Sequence, residues 1–108
     1  MDDINIGNEQ TLKIAQKNDD FRKAGRWMVT PTVLELINVQ GLFDLVRDYS
    51  DFDEDNDPYG EHDFGSLTWE SEKVFWKIDY YDLGLSHWQD PLSPDCQRVL
   101  TVYLASEH

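Results

Sequence analysis

The side chains that could do chemistry in this 108-residue chain are concentrated between residues 44 and 72. That stretch holds eleven Asp and Glu residues against Arg47 alone, a net charge of −10 in a chain whose total is −13. Carboxylates can bind a divalent cation, transfer a proton as general acid or base, or attract a basic partner. The function is therefore expected to depend on what these carboxylates face.

The first possibility is a calcium loop, because Asp51, Asp53 and Asp55 alternate as the ligands of such a loop do. An EF-hand loop also needs Gly at its sixth position and Glu at its twelfth. This chain has Asn56 and His62 at those positions, and a register two residues later fails as well. The pattern excludes an EF-hand, and neither a metal nor a cofactor is predicted.

The second possibility is catalysis. The chain has no GxSxG motif, no phosphate-binding Gly-rich loop and no CxxC or HxxxH pair that would make a zinc site of His62, His87 and Cys96. Asp79 shares a strand face with Lys77, which predicts an ion pair rather than a general acid. No catalytic residue is predicted. The remaining enzymatic alternative is a cation-binding or hydrolytic domain that uses Asp79 with the cluster Asp55, Asp57, Glu61, His62 and Asp63.

The favoured hypothesis is that the carboxylates recognise a basic protein surface. In an extended segment, alternate carboxylates lie about 6.6 Å apart on one side and can imitate a row of phosphates. A sequence pI near 4.3 argues against direct binding of DNA, RNA or anionic lipid. The predicted partner-binding residues are Asp48, Asp51, Asp53, Glu54, Asp55, Asp57, Tyr59, Glu61, Asp63, Glu70 and Glu72. An interaction module without any link to nucleic acid is the other alternative.

Apolar spacing and turn residues predict the elements that position this segment. We expect a helix over 9–24, a short strand over 26–30, a helix from Pro31 to about Gly41, and a second short helix over 42–49. Asn, Asp, Pro and Gly predict an acidic loop over 48–63. Strict alternation predicts a hairpin over 62–81, with an irregularity at Gly65, and a C-terminal strand over 97–105.

Together these elements predict a single α+β domain over residues 1–108, with an antiparallel sheet of three or four strands packed against two or three helices. One cysteine, Cys96, excludes an internal disulfide. The first ten residues are acidic and polar, unlike a secretion signal, and no apolar run is long enough to span a membrane. A cytoplasmic location is expected.

Several segments resemble a known bacterial family. The most specific are DNDPYGEHDFG at 55–65 and WKIDYYD at 76–82, and FRKAGRWMVTPTVLEL at 21–36 and RVLTVYLASEH at 98–108 follow the same order. From about Asn18 to the end, the chain resembles the family called domain of unknown function 3768. That resemblance implies a gene from bacteria or their mobile elements, in a setting similar to that of anti-restriction and other anti-defence genes. It implies no established enzymatic activity.

The resemblance narrows the expected partner. It implies a small inhibitor of anti-CRISPR or anti-restriction type, acting in the cytoplasm of a bacterial host cell. The partner would be a bacterial defence protein with a basic nucleic-acid-binding groove. The inhibitor would block access of DNA or RNA to that groove without binding nucleic acid itself.

Overall fold

The computed structural model describes the backbone of residues 3–107 and the side chains of residues 9–107. The elements are α1 (Asp3–Ala24), β1 (Trp27–Val29), α2 (Pro31–Leu34), α3 (Val39–Arg47), β2 (Phe64–Trp69), β3 (Glu72–Tyr81), β4 (Gln97–Leu104) and a final 3-10 turn (Ala105–Glu107). The architecture is α+β, as the sequence predicts, with one four-stranded sheet and three helices.

The sheet is mixed rather than purely antiparallel. Its strand order is β1-β4-β3-β2, with β2, β3 and β4 antiparallel to their neighbours and β1 parallel to β4. The expectation of an antiparallel sheet is therefore wrong at this one edge. Parallel neighbours need a long connection, and here residues 30–96 provide it. Hydrophobic alternation does not reveal strand direction, so the sequence pattern could not distinguish the two pairings.

One face of the sheet forms the core. Alternate residues of β3 are buried, and the register places Trp76 opposite Val102 and Ile78 opposite Leu100 on the same face. Leu100, Val102 and Leu104 of β4 share this buried face. Helices α2 and α3 cover this face with the fully buried side chains of Val33, Leu42 and Val46.

The break between α2 and α3 lies earlier than the sequence suggests. Helix α2 ends at Leu34, Asn38 adopts a left-handed conformation (φ 56°), and α3 runs through Gly41. The expected helix end at Gly41 is wrong because this glycine makes room for an aromatic side chain. A Cβ on Gly41 would lie 2.8 Å from the ring of Trp69, whose Nε1 donates a 2.8 Å hydrogen bond to the Ile37 carbonyl.

The β2–β3 hairpin turns tightly at Glu70 and Ser71, whose φ values are 50° and 68°. Two consecutive positive φ values are typical of the type I′ turn that matches the twist of a hairpin. The register through Gly65 is continuous, so the expected irregularity there is absent. Gly65 instead permits close packing, because a Cβ would lie 2.4 Å from Trp76 Nε1.

In the described part of the chain, no helix combines the length and apolar character needed to cross a bilayer.

Candidate protein-binding site

The acidic loop, residues 48–63, is held in shape by its own polar groups. The Asn56 amide donates to the Asp51 carbonyl (2.8 Å) and accepts from the Asp53 N–H (3.1 Å). Asp53 Oδ1 accepts from the N–H groups of Asp55 (2.9 Å) and Asn56 (3.0 Å). Such Asx turns fix the backbone locally. The loop is therefore ordered by contacts that leave several carboxylates unused.

The loop is a closed turn and not an extended row. The Asp57 N–H donates to the Asp53 carbonyl at 2.8 Å, which closes one turn of chain. The expected straight row of alternate carboxylates is therefore wrong, because the turn points the Asp57 side chain inward. The exposed acidic side chains of the loop all lie within residues 48–55, and we call this stretch the acidic cluster.

Five acidic residues of this cluster are exposed: Asp48, Asp51, Asp53, Glu54 and Asp55. Among the described residues, no hydrogen bond or ion pair engages the carboxylates of Asp51, Glu54 or Asp55. Tyr59, also predicted to bind a partner, is 81% exposed further along the same loop. Six of the predicted residues are thus exposed within one loop.

The other carboxylates of the loop are used inside the molecule. Asp57 is buried and accepts a hydrogen bond from the His62 N–H at 3.1 Å. Glu61 accepts a hydrogen bond from the Tyr80 hydroxyl at 2.9 Å. Asp63, directly before β2, is half-buried. These groups stabilise the base of the loop and are not available in full to a partner.

Glu70 and Glu72, which are also predicted to bind a partner, lie elsewhere. They are exposed at the hairpin turn, at the opposite end of β2 from the acidic loop. The six residues of β2 span about 20 Å, so these two residues do not join the exposed cluster.

His62 has partners that sequence reasoning missed. Its Nδ1 lies 3.0 Å from Asp19 Oδ1 on α1, and its Nε2 lies 3.8 Å from Asp57 Oδ2. The ring stacks on Phe52 with a centroid distance of 3.9 Å. The left-handed φ of His62 (57°) allows this position. Nothing in the spacing of Asp19 and His62 along the chain signals the contact, since they are 43 residues apart.

A shallow groove of about 440 Å³ lies beside His62. Asp19, Arg22, Lys23 and Asp48 are among the residues that line it. Arg22 is almost fully buried: its guanidinium binds Asp19 (3.0 Å) and the Tyr49 carbonyl (3.1 Å), and it lies over the Trp76 ring. Asp19 and Arg22 pair with one another, and Arg22 also binds the Tyr49 carbonyl, so the two residues join α1 to the loop.

Several residues of the alternative cation-binding or hydrolytic site lie near one another, since, after burial, Glu61, Asp57 and Asp79 all raise the pKa of Asp63. Within residues 9–107, no group of three or more His, Cys, Asp and Glu side chains is arranged to hold a metal ion. Asp79 forms the predicted ion pair with Lys77, at 3.5 Å. His87 contacts Asp82 (3.3 Å) in a different loop, and Cys96 lies in a separate depression where burial raises its pKa.

A buried polar network joins the acidic loop to the rest of the fold. Asn18 of α1 is fully buried; its amide donates to the Glu61 carbonyl (2.9 Å) and to the Tyr80 hydroxyl (2.8 Å), and accepts from Arg98 Nε (2.6 Å). Arg98 also donates to the Pro91 carbonyl at 2.9 Å. The network therefore fixes the base of the acidic loop against α1, β3 and β4.

Comparison with known families identifies the chain. The family model described as "Protein of unknown function (DUF3768)" matches residues 29–107. The chain belongs to this family. The match to DUF3768 begins at Val29 rather than at about Asn18, and it contains the acidic loop, the hairpin and β4. No curated protein and no solved structure matches the chain.

The DUF3768 match leaves out α1, although α1 completes the polar contacts of the matched region. Asn18, Asp19 and Arg22 all lie before the first matched residue. They bind Glu61, His62 and Tyr49, which lie within it. In this member of the DUF3768 family, the acidic loop is therefore held from outside the matched region.

One carboxyl of the loop base makes stability depend on pH. Burial, together with the nearby carboxylates of Glu61, Asp57 and Asp79, raises the pKa of Asp63 to about 6. An acid whose pKa is higher in the folded state than in the unfolded state loses stability as pH rises between those two values. We expect Asp63→Asn to raise the free energy of unfolding at pH 7.5 by about 1 kcal/mol, since water still screens this half-buried group.

The measurement is thermal unfolding of Asp63→Asn and wild type at pH 7.5 and at pH 4. The variant should melt roughly 4–8 °C higher at pH 7.5, and the gain should shrink at pH 4, where wild-type Asp63 is largely protonated. Asp55→Asn, at an exposed position, is the control and should change little at either pH. An equal gain for both variants would show general relief of charge repulsion instead.

Proposed function

We propose that this protein is a small acidic inhibitor that occupies a basic nucleic-acid-binding surface of a protein partner. The observation that supports this most directly is the exposed cluster at Asp48, Asp51, Asp53, Glu54 and Asp55, on a loop ordered by its own hydrogen bonds. The partner is expected to present Lys and Arg side chains, because these carboxylates would repel an acidic surface.

Order in the loop matters for affinity. A flexible acidic segment loses conformational entropy when it binds, and that loss offsets part of the interaction free energy. Here Asn56 and Asp53 already hold the turn closed, and Asn18 holds its base. The carboxylates are therefore presented with little further ordering to be done on binding.

The charge of the whole chain favours fast association with such a surface. A net charge of −13 creates a long-range field that steers a basic partner toward the molecule. The same field makes association sensitive to ionic strength, because the screening length is about 10 Å at 0.1 M salt. Strong salt dependence is therefore a required property of the proposed function.

The target class that we propose is a bacterial nucleic-acid-targeting defence complex, of CRISPR or restriction type. Membership of the DUF3768 family is compatible with this class, and the basis for the class is the setting that the family resemblance implies, which is similar to that of anti-defence genes. The mechanism is occlusion: the acidic cluster binds in the groove that would otherwise hold DNA or RNA. No chemical step on the nucleic acid is needed.

The test is a DNA-binding assay on purified CRISPR effector complexes and restriction endonucleases. Fluorescence anisotropy of a labelled duplex reports binding with and without the acidic protein. At 50 mM salt, the protein should weaken DNA binding by its target at least 10-fold, and the effect should decline toward 200 mM salt. An interaction module without a link to nucleic acid would bind its partner and leave DNA affinity unchanged.

A further inference from the structure

A second loop exposes apolar side chains at the same end of the sheet as the acidic loop. This anchor loop, residues 82–88, follows β3 and contains Leu83, Leu85 and Trp88, which are 67%, 56% and 71% exposed. Single exposed apolar side chains are ordinary on protein surfaces, but a contiguous group indicates an interaction site. Three such side chains lie within six residues of this one loop.

The anchor loop is ordered rather than loose. Asp82 Oδ1 accepts hydrogen bonds from the N–H groups of Ser86 (3.0 Å) and His87 (3.4 Å), and the first of these contributes most to lowering the pKa of Asp82. The Asp82 N–H donates to the His87 carbonyl at 2.8 Å, and Tyr81 forms a β-bridge with Trp88. The neck of the loop is therefore closed, and its backbone is ordered by these contacts.

The backbone of the loop is also held in an uncommon conformation. Leu85 has a φ of 58°, in the left-handed region that residues other than Gly, Asn and Asp rarely occupy. Such a conformation persists only where surrounding contacts determine it. In this conformation the Leu85 side chain is 56% exposed.

The two loops lie at the same end of the sheet. Strand β2 begins at Phe64, opposite Lys77, and β3 ends at Tyr81 shortly beyond that pair. The polar network from Glu61 through Tyr80, Asn18 and Arg98 to Pro91 links the acidic loop to the segment that follows the anchor loop. One partner can therefore meet both surfaces.

Charge decides which class of partner fits the anchor loop. Residues 78–97 contain Asp79, Asp82, Asp90 and Asp95 and no Lys or Arg. An anionic membrane would be repelled by this rim, and so would a second copy of a chain with net charge −13. A protein with an apolar cleft bordered by basic side chains complements both the apolar group and its rim.

We propose that Leu83, Leu85 and Trp88 form an apolar anchor that inserts into a cleft of the protein partner, beside the basic surface that the acidic loop binds. This inference extends the proposed function. Only the basic surface beside the cleft is taken from the proposed function. Trp is enriched among the residues whose truncation most weakens protein–protein complexes. The anchor supplies contact area that resists salt, and the acidic loop supplies steering.

The test places a photo-crosslinking benzoylphenylalanine at position 88 of the full chain in its native host cells. The crosslinked protein is identified by mass spectrometry and purified, and its Kd is measured by calorimetry with wild type and with Trp88→Ala. We expect about a 30-fold weaker Kd for Trp88→Ala, with an unchanged melting temperature. Ile37→Ala, at a 69% exposed position near the hairpin turn, is the matched control and should leave the Kd unchanged.

Each other outcome overturns the anchor. A crosslink to a second copy or to lipid, no crosslink at all, or equal Kd values for wild type and Trp88→Ala would do so. A different result would overturn the proposed function and leave the anchor standing. In that case the Kd would depend on Trp88, but the captured protein either would not bind nucleic acid or would bind it with undiminished affinity in the presence of the acidic protein.

Discussion

Replacing Asn18 by alanine should destabilise the protein by about 3 kcal/mol, because it removes three hydrogen bonds at a fully buried position. The loss leaves Arg98 Nε without its acceptor and the Glu61 carbonyl without its donor. Hydrogen bonds to charged groups and unsatisfied buried groups have the largest effects of this type. For a domain of this size, the melting temperature should fall by roughly 12 °C or more.

The control for Asn18 is Gln16→Ala on the exposed side of the same helix. Gln16 donates to Asp20 at 3.0 Å in full contact with water, so its loss should change stability by less than about 0.5 kcal/mol. Both variants are compared by thermal and urea unfolding. A melting temperature for Asn18→Ala within 3 °C of wild type would contradict the assigned network.

Replacing Gly65 by alanine should destabilise the protein by a similar amount, for a steric reason. A Cβ at this position would lie 2.4 Å from Trp76 Nε1 and 2.7 Å from Tyr49 Cζ. Trp76 is fully buried and Tyr49 nearly so, and the two rings pack edge to face at 5.4 Å. Neither ring can move without disturbing the core, and overpacking of this type costs about 3 kcal/mol at its upper range.

Two further variants isolate the steric cause. Gly84→Ala lies in an exposed loop where the nearest atom to a new Cβ is 3.3 Å away, so it should change the melting temperature only slightly. Trp76→Phe removes the indole nitrogen that the new methyl group would meet. In the double variant with Gly65→Ala, the loss of stability should therefore be smaller than the sum of the single losses. Additive losses would show that the clash is not the cause.

The parts of the fold that the sequence predicts well are those set by local patterns. The alternation in β3 identifies Val74, Trp76, Ile78 and Tyr80 as one face, and the structure buries all four. Repeated Asp and Asn with Pro58 and Gly60 predict irregular chain between α3 and β2, which is what the structure has. Both signals depend on neighbours a few residues apart.

The features of the fold that the sequence pattern does not predict depend on residues far apart in the chain. The direction of β1 is set by its pairing with β4, across residues 30–96. Asn18 meets Arg98 across 80 residues, and no local pattern marks either of them. Gly41 and Gly65 resemble points where an element ends, yet each lies inside a helix or strand to admit an indole ring.

In the candidate site too, local patterns predict some features, and contacts between distant residues determine the rest. Asp55 and Asp57 are the same residue type two positions apart, but one is exposed and the other is buried against His62. Only the closed turn, fixed by Asp53 and Asn56, determines which carboxylate faces outward. The sequence predicts that the segment is acidic and irregular, and the tertiary contacts select the carboxylates that a partner can reach.

The proposed function requires that exposed carboxylates at one end of the molecule recognise a basic surface of the partner. The measurement is inhibition of DNA binding by the target, compared between Asp51→Lys/Glu54→Lys/Asp55→Lys and Glu35→Lys/Glu70→Lys/Glu72→Lys. Both variants change the net charge equally at exposed positions, but the second changes it outside the acidic loop, at the end of α2 and at the hairpin turn. We predict that the first variant loses inhibition while remaining folded, and that the second retains most of the inhibition. Equal inhibition by both variants would contradict it.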